Sequence, residues 1–388
     1  MMEKTGVYFA TCPRGLEDIL AAELSAVGGK ETTTVPGGVG FAGERRVCYR
    51  ANLESRVASR VLMQLSRVPY RNEQDIYDAA YSVPWQEWFN VIRSIRVDVT
   101  AIRSPLRSLD YITLRIKDAV CDRFREATGA RPDVDTRNPE VRVHAFLDRS
   151  HLTLYLDSSG EPLYKRGYRR EAAVAPLREN LAAGIVKLTG WSGEEPWFDP
   201  MCGAGTILIE AAMMALDVAP GAQRRFGFEL LEQFDAATWR EVREAALARQ
   251  KPPRQLALYG SDVSGRELGR ARENLAAAGL QGVVSLKQAD VLEVSPPAPT
   301  GVLATNPPYG VRQEDSAKLA AFYPKLGDAL KSRFAGWRCY FFSADPLLPR
   351  LIHLRATKRT PLFNGALECR LYEYLMVAGG MRKCPPAG

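Results

Sequence analysis

The sequence predicts an α/β protein, a doubly wound parallel sheet with an antiparallel final strand, preceded by smaller α+β units. Three observations carry this expectation. Beyond residue 177, the short apolar runs "PWFD", "LALYGSD", "VVSLKQAD", "GVLATN" and "RCYFFS" alternate with helical stretches, the succession of βαβ units. The stretch "FNGALECRLYEYLMV" then breaks that rhythm, because an Asn364-Gly365 pair ahead of an alternating run reads as a hairpin turn. Upstream of residue 164, strand-like and helix-like periods are mixed without any such succession.

Taken in order, Ile95, Val97 and Val99 alternate with polar residues and predict a half-buried strand. Ile112, Ile116, Val120 and Phe124 recur every fourth residue and mark one face of an amphipathic helix. Val141 to Leu147 and Leu152 to Leu156 alternate on either side of "DRSH", which predicts a hairpin. Leu177, Leu181, Ile185 and Leu188 give a further helix before the βαβ region. Within that region "APGAQRRFGFELLEQFDAATWREVREAALARQKPPR" separates the first strand unit from the second by far more than the roughly 20 residues of an unbroken nucleotide-binding unit, so it reads as a mostly helical insertion. Its Arg224 and Arg225 suit either phosphate or plain solvation. "KPPR" and "SPPAPT" read as surface loops and "RKCPPAG" as a frayed tail.

At 388 residues the chain calls for two or three domains. Apolar residues make up 46% and charged residues 25%, with no apolar run of about 18 that would span a bilayer, so a membrane protein is not expected. The start, "MMEKTGVYFATCPRGLEDIL", lacks the signal-peptide succession, and a cytoplasmic location is expected. Seven cysteines without a Cys-x-x-Cys pair disfavour a disulfide framework and a zinc site, and Cys202 reads as a packing residue. His144, His151 and His353 are dispersed, so neither a metal site nor a hydrolytic triad is expected. The net charge of +7 is concentrated: residues 93–170 hold sixteen Lys/Arg against eleven Asp/Glu, and residues 331–388 hold ten against three. Since the remainder is net acidic, the pattern fits either chosen polyanion-binding faces or solvated helices.

The chemistry-bearing residues sit at predicted strand ends. "WFDPMCGAGTILIEAAMMA" is strand, glycine turn and helix; Gly203 and Gly205 permit a tight turn and close approach of a ligand to unpaired helix N–H groups. Leu208 stands where a dinucleotide fingerprint needs its third glycine, which disfavours a nicotinamide enzyme. Asp262 and Asp290 close the next two strands, and both would face one crevice at the sheet's carboxyl edge. A carboxylate after the second strand suits a ribose diol, although Asp262 or Ser264 could instead cap the following helix.

At the fourth strand end, "NPPY" forms a corner in which two prolines fix φ and supply no N–H, leaving carbonyls free to accept. The Asn306 side-chain oxygen and the Pro307 carbonyl could receive both hydrogens of an exocyclic amine on a base and turn its lone pair toward an electrophilic methyl, while Tyr309 stacks on the base. The structural alternative, that Asn-Pro-Pro is only a turn, is weakened by its place after a glycine-turn sheet.

With these residues in view, the chain resembles the THUMP-domain methyltransferases. It looks most like the bacterial group that methylates guanine N2 in 23S ribosomal RNA, whose members are often labelled N6-adenine-specific DNA methylases. The resemblance rests on "YFATCPRGLEDILAAEL", "SLDYITLRIKDAVCDRF", "LDSSGEPLYKRGYR", "APLRENLAAGIV", "FDPMCGAGTILIEAA", "TNPPYG" and "LFNGALECRLYEY", in this order over nearly the whole chain. It implies a ferredoxin-like region over 1–56, a THUMP RNA-binding domain over 57–164, a Rossmann-like methyltransferase domain over 165–380 that uses S-adenosylmethionine, and a tail over 381–388. By the same resemblance Asp199, Pro200, Cys202, Gly203, Gly205 and Thr206 would line the methionine side of the cofactor, Asp262 its ribose and Asp290 its adenine. Asn306, Pro307, Pro308 and Tyr309 would hold the target amine and base.

Four readings follow. The first is a ribosomal RNA guanine-N2 methyltransferase acting on a splayed base of structured RNA. A tRNA guanine-N2 methyltransferase has a similar layout. A DNA adenine methyltransferase fits less well, since the N-terminal units resemble an RNA module. An RNA-binding assembly protein with a decayed cofactor pocket would be expected to have lost "DPMCGAGT" or "NPPY", and both are intact.

Overall fold

The computed structural model describes residues 5–169, 177–307 and 313–377, the side chains of 313–318 excepted. The chain divides into two compact units. One comprises Met1–Cys12, Leu20–Leu163 and Gly221–Ala246; the other comprises Pro13–Ile19, Tyr164–Pro220 and Leu247–Gly388. Among the described residues no helix is long and apolar enough to cross a membrane.

The elements leading to the first sheet are β1 (Gly6–Thr11), α1 (Glu17–Ala26), β2 (Lys30–Val35), β3 (Gly38–Gly43), α2 (Arg45–Glu54), β4 (Arg60–Pro69), α3 (Glu73–Tyr81), β5 (Ile95–Ala101), α4 (Leu109–Thr128), β6 (Val141–Leu147) and β7 (His151–Asp157). The strands form one seven-stranded sheet in the order β2-β3-β1-β4-β7-β6-β5, antiparallel except for the β5–β6 pair. The centre of this sheet is a shared strand. β4 pairs with β1 over Arg60–Met63 and with β7 over Leu62–Pro69, so its two flanks hold two different α+β halves. The β4–β7 register slips between Gln64 and Ser66, a bulge at Leu65. The expected helix over Ile112–Phe124 is α4, whose Ser108 side chain accepts from the Tyr111 N–H and whose C-terminus is closed by Gly129 at φ 77°. The expected hairpin over 141–156 is β6–β7.

The insertion departs from expectation. α-Helix forms only in its second half, α7 (Ala236–Arg249), preceded by a short 3₁₀ turn at Gly227–Leu230. The cause lies in where its backbone bonds go: the Gly221, Phe228 and Glu232 N–H groups donate to carbonyls of Leu53, Ser158 and Trp88, and the Asp235 N–H to the Tyr49 hydroxyl. A helix would keep those donors for itself. Gly227 is also packed against the Gly160 backbone, so that a Cβ would meet Gly160 N at 2.8 Å. Residues 221–246 thus belong to the first unit, where Phe226, Phe228, Phe234 and Trp239 gather round one another and Tyr49.

The second sheet uses β8 (Trp197–Asp199), β9 (Leu258–Asp262), β10 (Ser285–Gln288), β11 (Gly301–Thr305), β12 (Trp337–Ser343), β13 (Lys358–Asn364) and β14 (Leu367–Leu375). Around it lie α5 (Glu179–Leu188), α6 (Thr206–Ala215), α8 (Gly265–Ala277), α9 (Gln313–Arg333) and the single turn α10 (Leu348–Leu351). The order is β10-β9-β8-β11-β12-β14-β13, with β10 through β12 parallel and β14 antiparallel to both its neighbours. This is the doubly wound sheet with an antiparallel final strand, except that β14 lies inside β13 and does not form the edge. The hairpin turn also sits one residue later than read: Asn364 pairs with Leu367, leaving Gly365 and Ala366 as the loop. Only Gly365 has positive φ, 66°, as a turn with glycine at its first central position requires. β11 is buried at all five positions, as befits a parallel strand covered on both faces, and Leu303, Phe198, Tyr323, Leu330 and Phe334 share one core with β12.

Candidate functional site

In a doubly wound sheet the crevice opens at the carboxyl ends of the strands where the winding reverses. Here the reversal falls at β8, which has β9 on one side and β11 on the other. The candidate residues follow that edge in order. Asp290 lies two residues beyond β10, Asp262 ends β9, Asp199 ends β8, and Asn306 and Pro307 follow β11 directly. Pro308 and Tyr309 lie outside the described residues.

The glycine turn is held from beneath by β9. Cys202 N–H donates to the Ser261 carbonyl at 2.9 Å, Gly203 N–H to Asp262 Oδ2 at 2.9 Å, and the Ser261 hydroxyl to the Pro200 carbonyl at 3.2 Å. Asn274 Nδ2 of α8 donates to the Ala204 carbonyl at 3.1 Å. Gly203 has φ 51° and Gly205 φ 80°, a backbone that favours glycine. A Cβ on Gly203 would meet nothing within 4 Å, so the turn presents open backbone, whereas one on Gly205 would approach Ala271 Cβ at 3.2 Å. The missing third glycine also has its explanation: Leu208 packs on Gly260 of β9, where a Cβ would sit 2.4 Å from Leu208 Cδ1. Close helix–strand contact is kept, with the glycine moved from helix to strand.

Asp262 is not the cap of α8. Ser264 is, its hydroxyl accepting from Glu267 N–H, while Asp262 accepts from Gly203 and Ser264 N–H and so ties the glycine turn to the tip of β9. A carboxylate has about four acceptor positions, so two such bonds leave capacity for a diol. Asp290 accepts from Leu292 N–H at 2.8 Å in a local turn. Asp199 is 1% exposed, and burial pushes its carboxyl up to about 7, reinforced by the negative charge of Asp262; the neighbouring Thr305 hydroxyl and the Met201 N–H pull the other way. Burial, with Asp199 and Asp262 adding to it, raises the Cys202 thiol well above its usual range, so it is a neutral packing group and no nucleophile. The Asn306 side-chain oxygen is buried, with no hydrogen-bond partner among the described residues. Buried acceptors are rarely left so, which marks this one as poised for a donor supplied by a ligand.

Sequence reasoning passed over a charged cluster behind the turn. Arg169 Nη2 donates to Thr206 Oγ1 at 3.1 Å and to the Leu177 carbonyl at 2.9 Å, and its Nε lies 3.0 Å from Glu179. Glu210, fully buried on α6, accepts from Arg166 Nε at 3.4 Å and from the Tyr168 hydroxyl at 3.2 Å. Its signal was a lone glutamate inside "TILIEAAMMA". Arg224, which suited phosphate, instead donates to the Pro162, Ser159 and Glu161 carbonyls, while Arg225 stays exposed.

Three family models match successive stretches of the chain. The model of the "RMKL-like, methyltransferase domain" matches residues 166–373, more than half of the sequence. The chain belongs to this methyltransferase family. Models of the RlmL ferredoxin-like domain and of the THUMP domain match residues 7–62 and 70–157 of the same family member. Its sequence is 41% identical over 387 residues to the ribosomal RNA large subunit methyltransferase K/L of Aeromonas hydrophila, covering 95% of this chain and 54% of that one. The chain therefore spans about half the length of that relative. It is 37% identical over 371 residues to slr0064 of Synechocystis sp., covering 95% of this chain and 97% of that one. Among solved structures, SMU.472 complexed with SAH has a TM-score of 0.87 at 29% identity, covering 98% of this chain and 100% of that one. S-adenosylmethionine is the cofactor of this methyltransferase, and the open backbone at Gly203 beside the buried Asp199 carboxyl fits a ligand bearing an ammonium group.

Proposed function

We propose that the protein transfers a methyl group from S-adenosylmethionine to the exocyclic N2 amine of a guanine in 23S ribosomal RNA. The observation that carries this reading is the buried oxygen of Asn306, without a partner among the described residues, at the tip of β11, the strand beside the one that ends in the glycine turn. Asp199, Pro200, Cys202, Gly203, Gly205 and Thr206 would hold the methionine portion of the cofactor, Asp262 the ribose and Asp290 the adenine. The cofactor supplies an electrophilic methyl on a positively charged sulfur.

The rest belongs to the chain's own groups. Asn306 Oδ1 and the Pro307 carbonyl accept the two hydrogens of the target amine, which fixes the direction of its lone pair. Such orientation can supply roughly 7–11 kcal/mol of a barrier without any strong base. As the nitrogen becomes cationic, these two carbonyl dipoles already point at it and stabilise the charge without reorganising. Tyr309 stacks on the base, which must leave its helix to reach the crevice. The domains are 1–56, 57–164 and 165–380 in this reading, with the first two contacting structured RNA by shape and phosphate. The organisation of the Aeromonas relative, a large-subunit ribosomal RNA methyltransferase, supports ribosomal RNA as the substrate.

The test offers tritiated S-adenosylmethionine with deproteinised 23S rRNA, tRNA and duplex DNA, followed by nuclease digestion and chromatography of the labelled nucleoside. Label in N2-methylguanosine from 23S rRNA is expected. Label confined to tRNA, or recovered as N6-methyladenine, refutes the assignment.

A further inference from the structure

The first unit contains a cavity of about 670 Å³ that the methyl-transfer site does not use. Its wall is assembled from five stretches apart in sequence: the start of β1, the start of α2, the middle of β4, the turn after α3, and the first half of the insertion. Tyr8, Tyr49, Trp88 and Phe234 line it. Trp88 is half-buried and its indole N–H meets no described acceptor. The β4 bulge opens onto this space, because Gln64, Leu65 and Ser66 all line it, and the Ser66 hydroxyl is buried without a partner among the described residues. Arg45, also in the wall, makes no close ion pair with a described residue, although its charge acts on the Asp235 carboxylate and the Tyr49 hydroxyl. It is the first residue of α2, whose N-terminus has no side-chain cap.

Each feature selects part of one ligand. Aromatic walls suit a flat heterocycle. An orphaned hydroxyl and the neighbouring amide of Gln64 suit the edge of such a ring, where donors and acceptors alternate. A guanidinium without a close ion pair, beside an uncapped helix N-terminus, suits a phosphate. A bulge in a central strand is a common device for re-aiming side chains toward a ligand. The combination describes a nucleotide, base and phosphate together.

We propose that this cavity binds one unpaired nucleotide of the RNA substrate, a second anchoring point remote in sequence from the methyl-transfer crevice. The identity of the substrate as RNA rests on the function proposed above. The base stacks on Trp88, its edge bonds to Ser66, and its phosphate pairs with Arg45. Because part of the wall comes from residues 228–234, inserted within the methyltransferase sequence, this also gives that insertion a role in substrate binding.

The test uses the full chain and a fluorescein-labelled single-stranded oligoribonucleotide of mixed sequence, read by anisotropy, so that it needs no methyl transfer. Trp88→Ala is expected to weaken binding roughly tenfold or more, the range of one lost base–aromatic stack. Arg45→Gln is expected to weaken it several-fold and to lower the salt dependence by about one phosphate contact. Unchanged binding of S-adenosylhomocysteine by both variants verifies that the second unit is intact, and Arg45→Gln, at a half-exposed helix terminus, carries the test should Trp88→Ala fail to fold. Photo-crosslinking of 4-thiouridine-substituted RNA is expected to mark peptides containing Trp88 or residues 228–234. Wild-type affinity in the Arg45 and Trp88 variants, or crosslinks found only outside the cavity wall, overturns the proposal. Loss of methyl transfer to 23S rRNA with oligonucleotide binding retained would refute the proposed function and leave this site standing.

Discussion

Asp199→Asn isolates the electrostatic cost stored at the end of β8. The folded chain holds this carboxyl at about 7 against an ordinary 3.8, chiefly through burial, and the difference corresponds to about 4 kcal/mol. Well below pH 3.8 the group is protonated in both folded and unfolded chains and costs nothing. As pH rises from about 4 to 7 the unfolded chain ionises first, so the folded state loses about 1.4 kcal/mol per pH unit from this group, and above 7 the loss is complete. Asparagine keeps the size and the acceptor for Met201 N–H but cannot ionise. Urea unfolding of cofactor-free wild type and variant, followed by tryptophan fluorescence from pH 4 to 8.5, should show equal or lower variant stability at pH 4. A growing advantage should follow, reaching as much as about 4 kcal/mol by pH 8. Cofactor affinity should show the converse, rising through pH 7 in wild type and staying flat in the variant, since an ammonium is best met by the ionised carboxylate. A difference in stability between the two proteins that does not change with pH would refute the reasoning.

Three other substitutions test the site's construction. Asn306→Ala should lower kcat roughly a hundredfold or more while calorimetry finds S-adenosylhomocysteine bound within about twofold of wild type, as expected for a dipole used only on the target amine. Gly260→Ala forces a Cβ to 2.4 Å from Leu208 and 2.7 Å from Leu286, and should cost about 1–3 kcal/mol in urea unfolding, with Leu208→Ala in the same chain restoring part of it. Glu210→Ala leaves Arg166, 3% exposed, without its buried carboxylate and should destabilise the second unit by about 3–5 kcal/mol, whereas Glu210→Gln, which keeps the acceptor for Tyr168, should cost less; thermal unfolding checks both.

The second sheet was legible because buried parallel strands advertise themselves as short apolar runs between helices, and the strand order then placed Asp262, Asp199 and Asn306 on one edge. The same alternation could not say that β14 would insert between β12 and β13, since that choice rests on contacts distant in sequence. The turn at Gly365 was read one residue early because Asn-Gly suits one hairpin type and Gly-Ala another, and only the register of Asn364 with Leu367 decides between them. Helical spacing in the insertion fails for residues 221–235, where backbone donors meet carbonyls of Leu53, Ser158 and Trp88, distant in sequence but within the same unit. The ion cluster of Arg166, Arg169, Glu179 and Glu210 escaped because charged residues read as surface unless a partner is known, and the partners here lie up to 44 residues apart.

The double pairing of β4 limits how this protein can be taken apart. A chain cut between the ferredoxin-like and THUMP matches would pass through a ten-residue strand, stripping β1 or β7 of its ladder and leaving the other with a raw, adhesive border. Neither fragment should behave as a tidy module, and attempts to transplant the THUMP portion alone will need the first sixty residues to come with it.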